Sequence, residues 1–232
     1  MAVEVTRVLD GSLENIESRK YNIFVPISLG NPYFNRENLR ELVKWAIQFT
    51  KEKVIILVAD DIQAINYEIL AGLEKADAQK SAKKLGDNFV KMSQRVINSL
   101  SADEQEKITI ARWTDIEHGK FVNLQHILKD EYLYNEEFQN EIHRVVRATL
   151  GEKIPHRDEA LQRLGDYVIE EMPLMFKGIT VNKMHYDAFP YPGLNELDML
   201  VSDIQSRRKF SEIADKLGLA TKQPIIEAYV KR

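Results

Sequence analysis

The segment YNIFVPISLGNPYF, residues 21–34, presents a serine where chemistry is commonly placed. Ile23 to Ile27 is an apolar run of strand type, and Leu29-Gly30-Asn31 reads as a sharp turn. Asn35 then stands at the N-cap position of a periodic helix. A serine at the carboxyl end of a strand, facing a helix N-terminus, sits where open α/β sheets bind ligands. Serine is a poor nucleophile until a neighbour activates it. In the ordinary case such a serine is a turn former or a cap. The G-x-S-x-G elbow of serine hydrolases is not met, because Pro26 stands at the first glycine, and no His/Asp pairing can be read off.

A second group lies in GDYVIEEMPLMF, residues 165–176. The spacing of Leu161, Leu164 and Val168 predicts a helix that opens at Asp158 and closes at Pro173. Tyr167 and Glu171 are four apart and share a face at the edge of that stripe. A carboxylate buried there must be paired or have a task; the plainer alternative is that Glu171 reaches solvent. Ile179 to Tyr186 alternates like a strand, and Tyr186 ends it. Tyr191, in a Pro190-Tyr191-Pro192-Gly193 loop, is a rival, and Tyr186 is preferred because it ends the strand directly. Either is also an ordinary amphipathic tyrosine.

Lys80, Lys83, Lys84, Lys91 and Arg95 fall at mostly helical spacing in a long helix from Ala76 to Leu100. Such a helix is most often a solvated face, and Asp77 and Asp87 interrupt it. Within it, Lys91-Met92-Ser93-Gln94-Arg95 is similar to the K-M-S-K-S loop of class I aminoacyl-tRNA synthetases. That loop belongs late in a nucleotide-binding fold, not in a mid-chain amphipathic helix. The partner signature H-I-G-H is also missing after the first strand, where S-L-G-N stands. The five histidines form neither HxxxH nor HExxH, so no metal site is expected. No Walker A or G-x-G-x-x-G run is present, and no cofactor is expected.

These groups need elements to hold them. Residues 1–20 read as a polar lead-in, or as a short strand and turn around Asp10-Gly11. Strand Ile23–Ile27, a helix through Leu39, Leu42, Val43, Ala46 and Ile47, and a buried run Val54 to Ala59 then make a strand–helix–strand unit with a right-handed crossover. Ile62 to Gly72 reads as a short helix and Ile108 to Trp113 as a third strand. Phe138 to Thr149 is a clear amphipathic helix. Leu194 to Ile204 is another helix, and Ile225 to Val230 a last strand. The pattern predicts one α/β domain with a mostly parallel, Rossmann-like sheet and helices on both faces. No linker or repeat divides it.

The 232 residues are 44% hydrophobic and 29% charged, which suits a globular core. There are no cysteines, so thiolate chemistry and disulfides are excluded and a reducing cytoplasm is the expected location. The first 20 residues lack an apolar signal-peptide core, and no run approaches a membrane span, so no membrane partner is expected. The net charge of −4 argues against bulk nucleic-acid binding but not against a local basic face.

The turn Ser28, Gly30, Asn31 and Tyr33 resembles the S-x-G-N-plus-aromatic turn of the cyclodipeptide synthases, which make cyclic dipeptides from two aminoacyl-tRNAs. Tyr167, Glu171 and Pro173 are similar to that family's Y-x-x-x-E-x-P pattern. The resemblance runs from about Tyr21 to Tyr186. It implies that Ser28 is the nucleophile and that Tyr167 and Glu171 hold the α-amino group of the serine-linked aminoacyl moiety. It also implies that Asn31 and the turn amides orient substrate or an oxyanion, and that Gly30 and Tyr33 belong to the substrate site. The family's further active-site tyrosine falls on Tyr186, although Asp187 follows it where the family has His or Pro. Phe24, Pro26, Leu174 and Met184 become the implied pocket walls, and the basic helix the implied tRNA grip. The implied reaction is ping-pong acyl transfer through an aminoacyl-serine and a dipeptidyl-serine, with two aminoacyl-tRNAs as substrates and no ATP. Two other readings stand beside it: a noncatalytic tRNA- or nucleotide-binding module, and a serine acyltransferase or hydrolase acting on a non-tRNA ester.

Overall fold

The computed structural model describes residues 2–155 and 158–231. Three parallel strands form its first half: β2 (Ile23–Ile27), β3 (Val54–Val58) and β4 (Ile108–Arg112), ordered β2-β3-β4. Register runs from Ile23 opposite Val54 to Ile27 opposite Val58. Helix α2 (Arg36–Phe49) makes the crossover, and the Asn35 side chain accepts the Glu37 and Asn38 N–H groups at its start. Helices α3 (Asp60–Leu70) and α4 (Lys75–Ile97) follow β3, and the one-turn α5 (Ala102–Gln105) precedes β4.

The chain's two ends share a second sheet. The supposed lead-in holds β1 (Val3–Leu9) and the short helix α1 (Leu13–Glu17). β1 runs antiparallel to the last strand, β8 (Ile225–Val230), which is parallel to β7 (Phe189–Tyr191). β7 in turn meets β2, where Ile23 bridges Ala188 and the Phe24 N–H donates to the Ala188 carbonyl at 3.0 Å. The order across both sheets is therefore β4-β3-β2-β7-β8-β1. The direction of winding reverses between β2 and β7, and the crevice outside the strand ends at such a reversal is the usual ligand site.

Two prolines hold that crevice open. Ala188 takes both rungs available to it: its N–H donates to Asn22 and its carbonyl accepts from Phe24. In a parallel ladder the next rung would need the N–H of residue 190 and the N–H of residue 26. Both residues are proline and have neither. The ladder between them stops, and the last residues of β2 and β7 run on towards Ser28 and Tyr191 paired only on their outer edges, to β3 and β8.

Side-chain alternation along the strands builds two cores. Ile23, Val25 and Ile27 of β2 face the layer of α2 and α4, with Leu39, Leu42, Val43 and Ala46. Phe24 of β2 and Ile55 and Leu57 of β3 face the opposite layer. That layer holds α6 (His118–Tyr134), α7 (Glu136–Leu150), α8 (Asp158–Lys177), α9 (Glu196–Gln205) and α10 (Ser211–Lys216). No helix among the described residues is long and apolar enough to cross a membrane.

Three expectations need correction. Helix α8 does not close at Pro173 but continues through it to Lys177. Proline costs one hydrogen bond there, and burial of Leu174, Met175 and Phe176 offsets the loss. The helix stops instead at Gly178, whose φ of 62° admits the left-handed turn; a Cβ there would meet the Tyr186 carbonyl oxygen at 1.9 Å. The run from Ile179 to Tyr186 is not one strand but a hairpin, β5 (Ile179–Val181) with β6 (Met184–Tyr186), turned at positive φ by Asn182 and Lys183. The Pro190-Tyr191 stretch, read as a loop, is β7 itself.

Candidate active site

Ser28 leaves the carboxyl end of β2 into a turn closed by the Asn31 N–H, which donates to the Ser28 carbonyl at 3.1 Å. Gly30 supplies the required φ of 87°. The Asn31 side-chain oxygen accepts the Tyr33 N–H at 3.0 Å and stiffens the turn before α2. Ser28 itself is half-buried. It borders a cavity of about 340 Å³ between the ends of β2 and β7 and helices α3, α7, α8 and α9.

Four groups with titratable side chains converge on this cavity. Tyr167 and Glu171 project from α8 on one face, and the Tyr167 hydroxyl donates to Glu171 Oε1 at 3.0 Å. Desolvation pushes the Glu171 carboxyl up to about 7; the Tyr167 hydrogen bond opposes that rise and the charge of Asp198 adds to it. Tyr167 is itself held well above the ordinary phenol range by burial and by Glu171. Tyr191, at the end of β7, borders the cavity beside the Ser28 and Asn31 side chains. Burial raises its pKa and those two contacts oppose the rise. Asp198 comes from the first turn of α9, 3% exposed, with its carboxyl lifted to about 6 by burial.

The rest of the wall is apolar. Pro26 and Leu57 line it from the strands, Val145 and Val146 from α7, and Leu174 and Met175 from α8. No histidine among the described residues lines it, so the base that a Ser-His hydrolase requires is not at hand.

Of the expected site residues, the structure brings Ser28, Tyr167, Glu171, Pro26 and Leu174 to the cavity, with Asn31 in the turn beside Ser28. Tyr186 is not among them. It ends β6 in the hairpin, buried at 4% exposure, and its hydroxyl reaches towards Thr109 of β4 rather than towards Ser28. Tyr191 holds the strand-end position beside Ser28, because β7 and not β6 is the neighbour of β2. Met184 sits in the same hairpin, away from the cavity. Phe24 is fully buried behind the wall, its ring 5.1 Å from that of Phe189. Tyr33 faces the other core, where its hydroxyl accepts the Val230 N–H at 2.9 Å. Gly30 is exposed at the rim.

Sequence reasoning missed Asp198. Its sequence signal is that of a capping box: the Asn195 side chain accepts its N–H and its carboxylate accepts the Asn195 N–H. The usable clue was the apolar run around it, Leu197, Leu200 and Val201, which turns the first residues of α9 inward.

The basic residues of α4 form a separate surface. Lys80, Lys83, Lys84, Lys91 and Arg95 are all exposed, and at 3.6 residues per turn they fall within an arc of about 120°. Asp77, at the edge of that arc, and Asp87, inside it, interrupt the stripe; the Asp87 carboxylate pairs with Arg112, from the end of β4, and with Lys83 at 3.3 Å. Arg112 also binds the buried Asp60 at the start of α3. Asp87 is thereby neutralised from below, and against Asp77 alone the five cations keep the stripe positive.

Comparison with known proteins bears on this arrangement. The family model described as cyclodipeptide synthase matches residues 8–211. No curated protein sequence matches the chain. Among solved structures, a cyclodipeptide synthase from Fluoribacter dumoffii is similar with a TM-score of 0.72 at 21% identity, covering 98% of each chain. A Mycobacterium tuberculosis protein, described as demonstrating that cyclodipeptide synthetases are related to type I tRNA synthetases, gives 0.74 at 18% identity over 98% of this chain and 96% of its own. A cyclodipeptide synthase from Candidatus Glomeribacter gigasporarum, bound to Phe-tRNAPhe, gives 0.56 at 19% identity over 90% and 88%. At these identities the structural likeness establishes the Rossmann-like fold.

Proposed function

The chain belongs to the cyclodipeptide synthase family, and on that premise we propose that it joins two aminoacyl groups, delivered by aminoacyl-tRNAs, through two successive esters of Ser28. The observation that carries the reading is the convergence of Ser28, Tyr191 and the Tyr167–Glu171 pair on one cavity at the reversal point of the sheet.

Ser28 Oγ attacks the ester carbonyl of the first aminoacyl-tRNA, and its proton leaves on the departing ribose hydroxyl. The Tyr191 hydroxyl, beside the Ser28 and Asn31 side chains, is the group we assign to pass that proton. The Asn31 N–H is already spent on the Ser28 carbonyl. The Leu29 and Gly30 N–H groups have no backbone acceptor among the described residues and are the donors left for the developing oxyanion. Glu171, hydrogen-bonded by Tyr167, holds the α-ammonium of the aminoacyl-serine.

Atom balance sets the next step. If the second amine attacked the acyl-serine, the dipeptide would leave on the second tRNA. A dipeptide that stays on Ser28 requires the acyl-serine amine to attack the second aminoacyl ester. Glu171 accepts the proton that this amine must lose. The new terminal amine then attacks the Ser28 ester, closing the ring and releasing the enzyme. The charged tRNA supplies the ester free energy, so no ATP step enters. The apolar wall favours uncharged amino-acid side chains, and the α4 stripe supplies sequence-independent phosphate contacts.

Incubation with mixed aminoacyl-tRNAs, with and without ribonuclease, tests the reading by mass spectrometry. Diketopiperazines that disappear with ribonuclease are expected. Their absence, or their formation in ribonuclease-treated samples, overturns it.

A further inference from the structure

The reaction outlined above uses two amines, and each arrives as an ammonium that must lose a proton before it attacks. Glu171 serves the first. Once that nitrogen has become an amide, the second amine lies one residue further along the dipeptide, about 3.5 Å away. A site that grips the first nitrogen does not grip the second without moving the acyl-serine.

The cavity holds another carboxylate, on another wall. Asp198 stands on α9, across from Glu171 on α8, and both border the same space as Ser28. Only 3% of Asp198 is exposed. One of its oxygens, Oδ2, accepts the Asn195 N–H at 2.7 Å. The other has no side-chain donor among the described residues. A carboxylate this deeply buried, held by backbone N–H groups alone and with no cation beside it, is costly unless something cationic visits it from the cavity. The charged neighbours are no remedy: Glu171 and, from β8, Glu227 add negative potential around it.

We propose that Asp198 receives the ammonium of the second aminoacyl group and takes the proton that frees this amine for ring closure. The inference rests on the Ser28 reading above. In the step, the ammonium N–H bond breaks and the proton goes to the Asp198 carboxylate. The amine forms a C–N bond to the dipeptidyl ester carbonyl, and the bond from that carbon to Ser28 Oγ breaks. The second proton on nitrogen passes to Oγ. Burial has already lifted the Asp198 carboxyl to about 6, close enough to neutrality for it to take a proton during turnover and lose it afterwards. The two carboxylates then divide the work, Glu171 for peptide-bond formation and Asp198 for cyclisation.

Asp198 also closes the capping box of α9, so the test must hold the cap and change the charge. Asp198→Gln and Asp198→Glu have the same shape, and both side chains serve at that position of a capping box; Asp198→Asn keeps an oxygen for the Asn195 N–H. Each variant is mixed with aminoacyl-tRNAs and quenched over time. Intact-mass spectrometry reads the covalent species, and chromatography reads cyclic against linear dipeptide. The expected result for Asn and Gln is normal aminoacyl-Ser28, accumulated dipeptidyl-Ser28, about tenfold or slower ring closure, and more linear dipeptide by hydrolysis. The Glu variant recovers part of the cyclic yield. Equal ring closure in the Glu and Gln variants, or a wild-type cyclic-to-linear ratio in Asn, overturns the proposal. So does loss of aminoacyl-Ser28 in the neutral variants, which would put Asp198 at the first step. Absence of aminoacyl-Ser28 in the wild type is a different result, and it defeats the serine reading itself.

Discussion

Replacing Glu171 by Gln should make the protein more stable at alkaline pH and much less active. The side chain keeps its shape and can still accept from Tyr167, but the charge is gone. Burial raises the Glu171 carboxyl from 4.5 to about 7. Below pH 4.5 the group is protonated folded and unfolded, and its titration has no effect on stability. Between 4.5 and 7 the folded state keeps a proton that the unfolded state has lost, so stability falls as pH rises. Above 7 the whole difference applies. At about 1.4 kcal/mol per pH unit this gap comes to about 3 kcal/mol, an upper figure because Glu171 borders the cavity and keeps some contact with solvent. For a chain of this size that corresponds to roughly 6–12 °C in Tm. Thermal unfolding of wild type and Glu171→Gln at pH 5 and pH 8 is the assay. The difference between the two proteins should widen by up to that amount at pH 8, in favour of the variant. Activity should fall roughly ten- to hundredfold, the loss of a hydrogen bond to a charged group. Glu170→Gln, which pairs instead with Lys129, should be nearly silent. A stability difference between wild type and Glu171→Gln that does not change with pH would refute the claim that Glu171 is a desolvated carboxylate.

Replacing Lys80, Lys83, Lys84, Lys91 and Arg95 by Gln should weaken tRNA binding and flatten its dependence on salt, each lost phosphate contact lowering the log–log slope by roughly 0.7–0.9; an unchanged slope would put the tRNA elsewhere. Arg112→Met should cost roughly 3–5 kcal/mol in chemical denaturation, because it leaves the buried Asp60 unpaired, and should also weaken tRNA binding by releasing the Asp87 charge into the stripe. A loss under 1 kcal/mol would show that Asp60 has another partner. The pair Pro26→Ala and Pro190→Ala restores two N–H donors on facing strand edges. Amide-exchange protection should extend by a rung between β2 and β7 while activity falls, and an unprotected pair would mean that something other than the prolines holds the crevice open.

The parts of this site that rest on local pattern were legible in the sequence. Ser28 is marked by a strand run, a Gly30 turn and an N-cap within a few residues. Tyr167 and Glu171 are marked by helical spacing. What was illegible depends on partners far away in the chain. β1 reads as polar lead-in because its pairing with β8 spans more than 200 residues. Tyr191 stood as the rival and not the choice because Pro190 and Pro192 signal a loop in any local window. Only the register of β7 against β2, which assigns Pro190 and Pro26 to the same missing rung, shows that the prolines shape an opening. Pro173 misled for the opposite reason: a strong local stop was overridden by the burial of the residues after it. Asp198 went unread in the sequence; it closes the capping box of Asn195, and its place on the cavity wall becomes visible only when α9 is seen against the cavity.

The central claim is the covalent use of Ser28, and intact-mass spectrometry tests it most directly. Wild-type protein mixed with an aminoacyl-tRNA and quenched within a turnover should gain the mass of one aminoacyl group, and proteolysis should map it to the peptide that carries Ser28. Ser28→Ala should fold with an unchanged melting temperature, gain no mass and form no cyclic dipeptide. An alanine variant that turns over like the wild type, or an adduct that maps to another residue, would contradict the account.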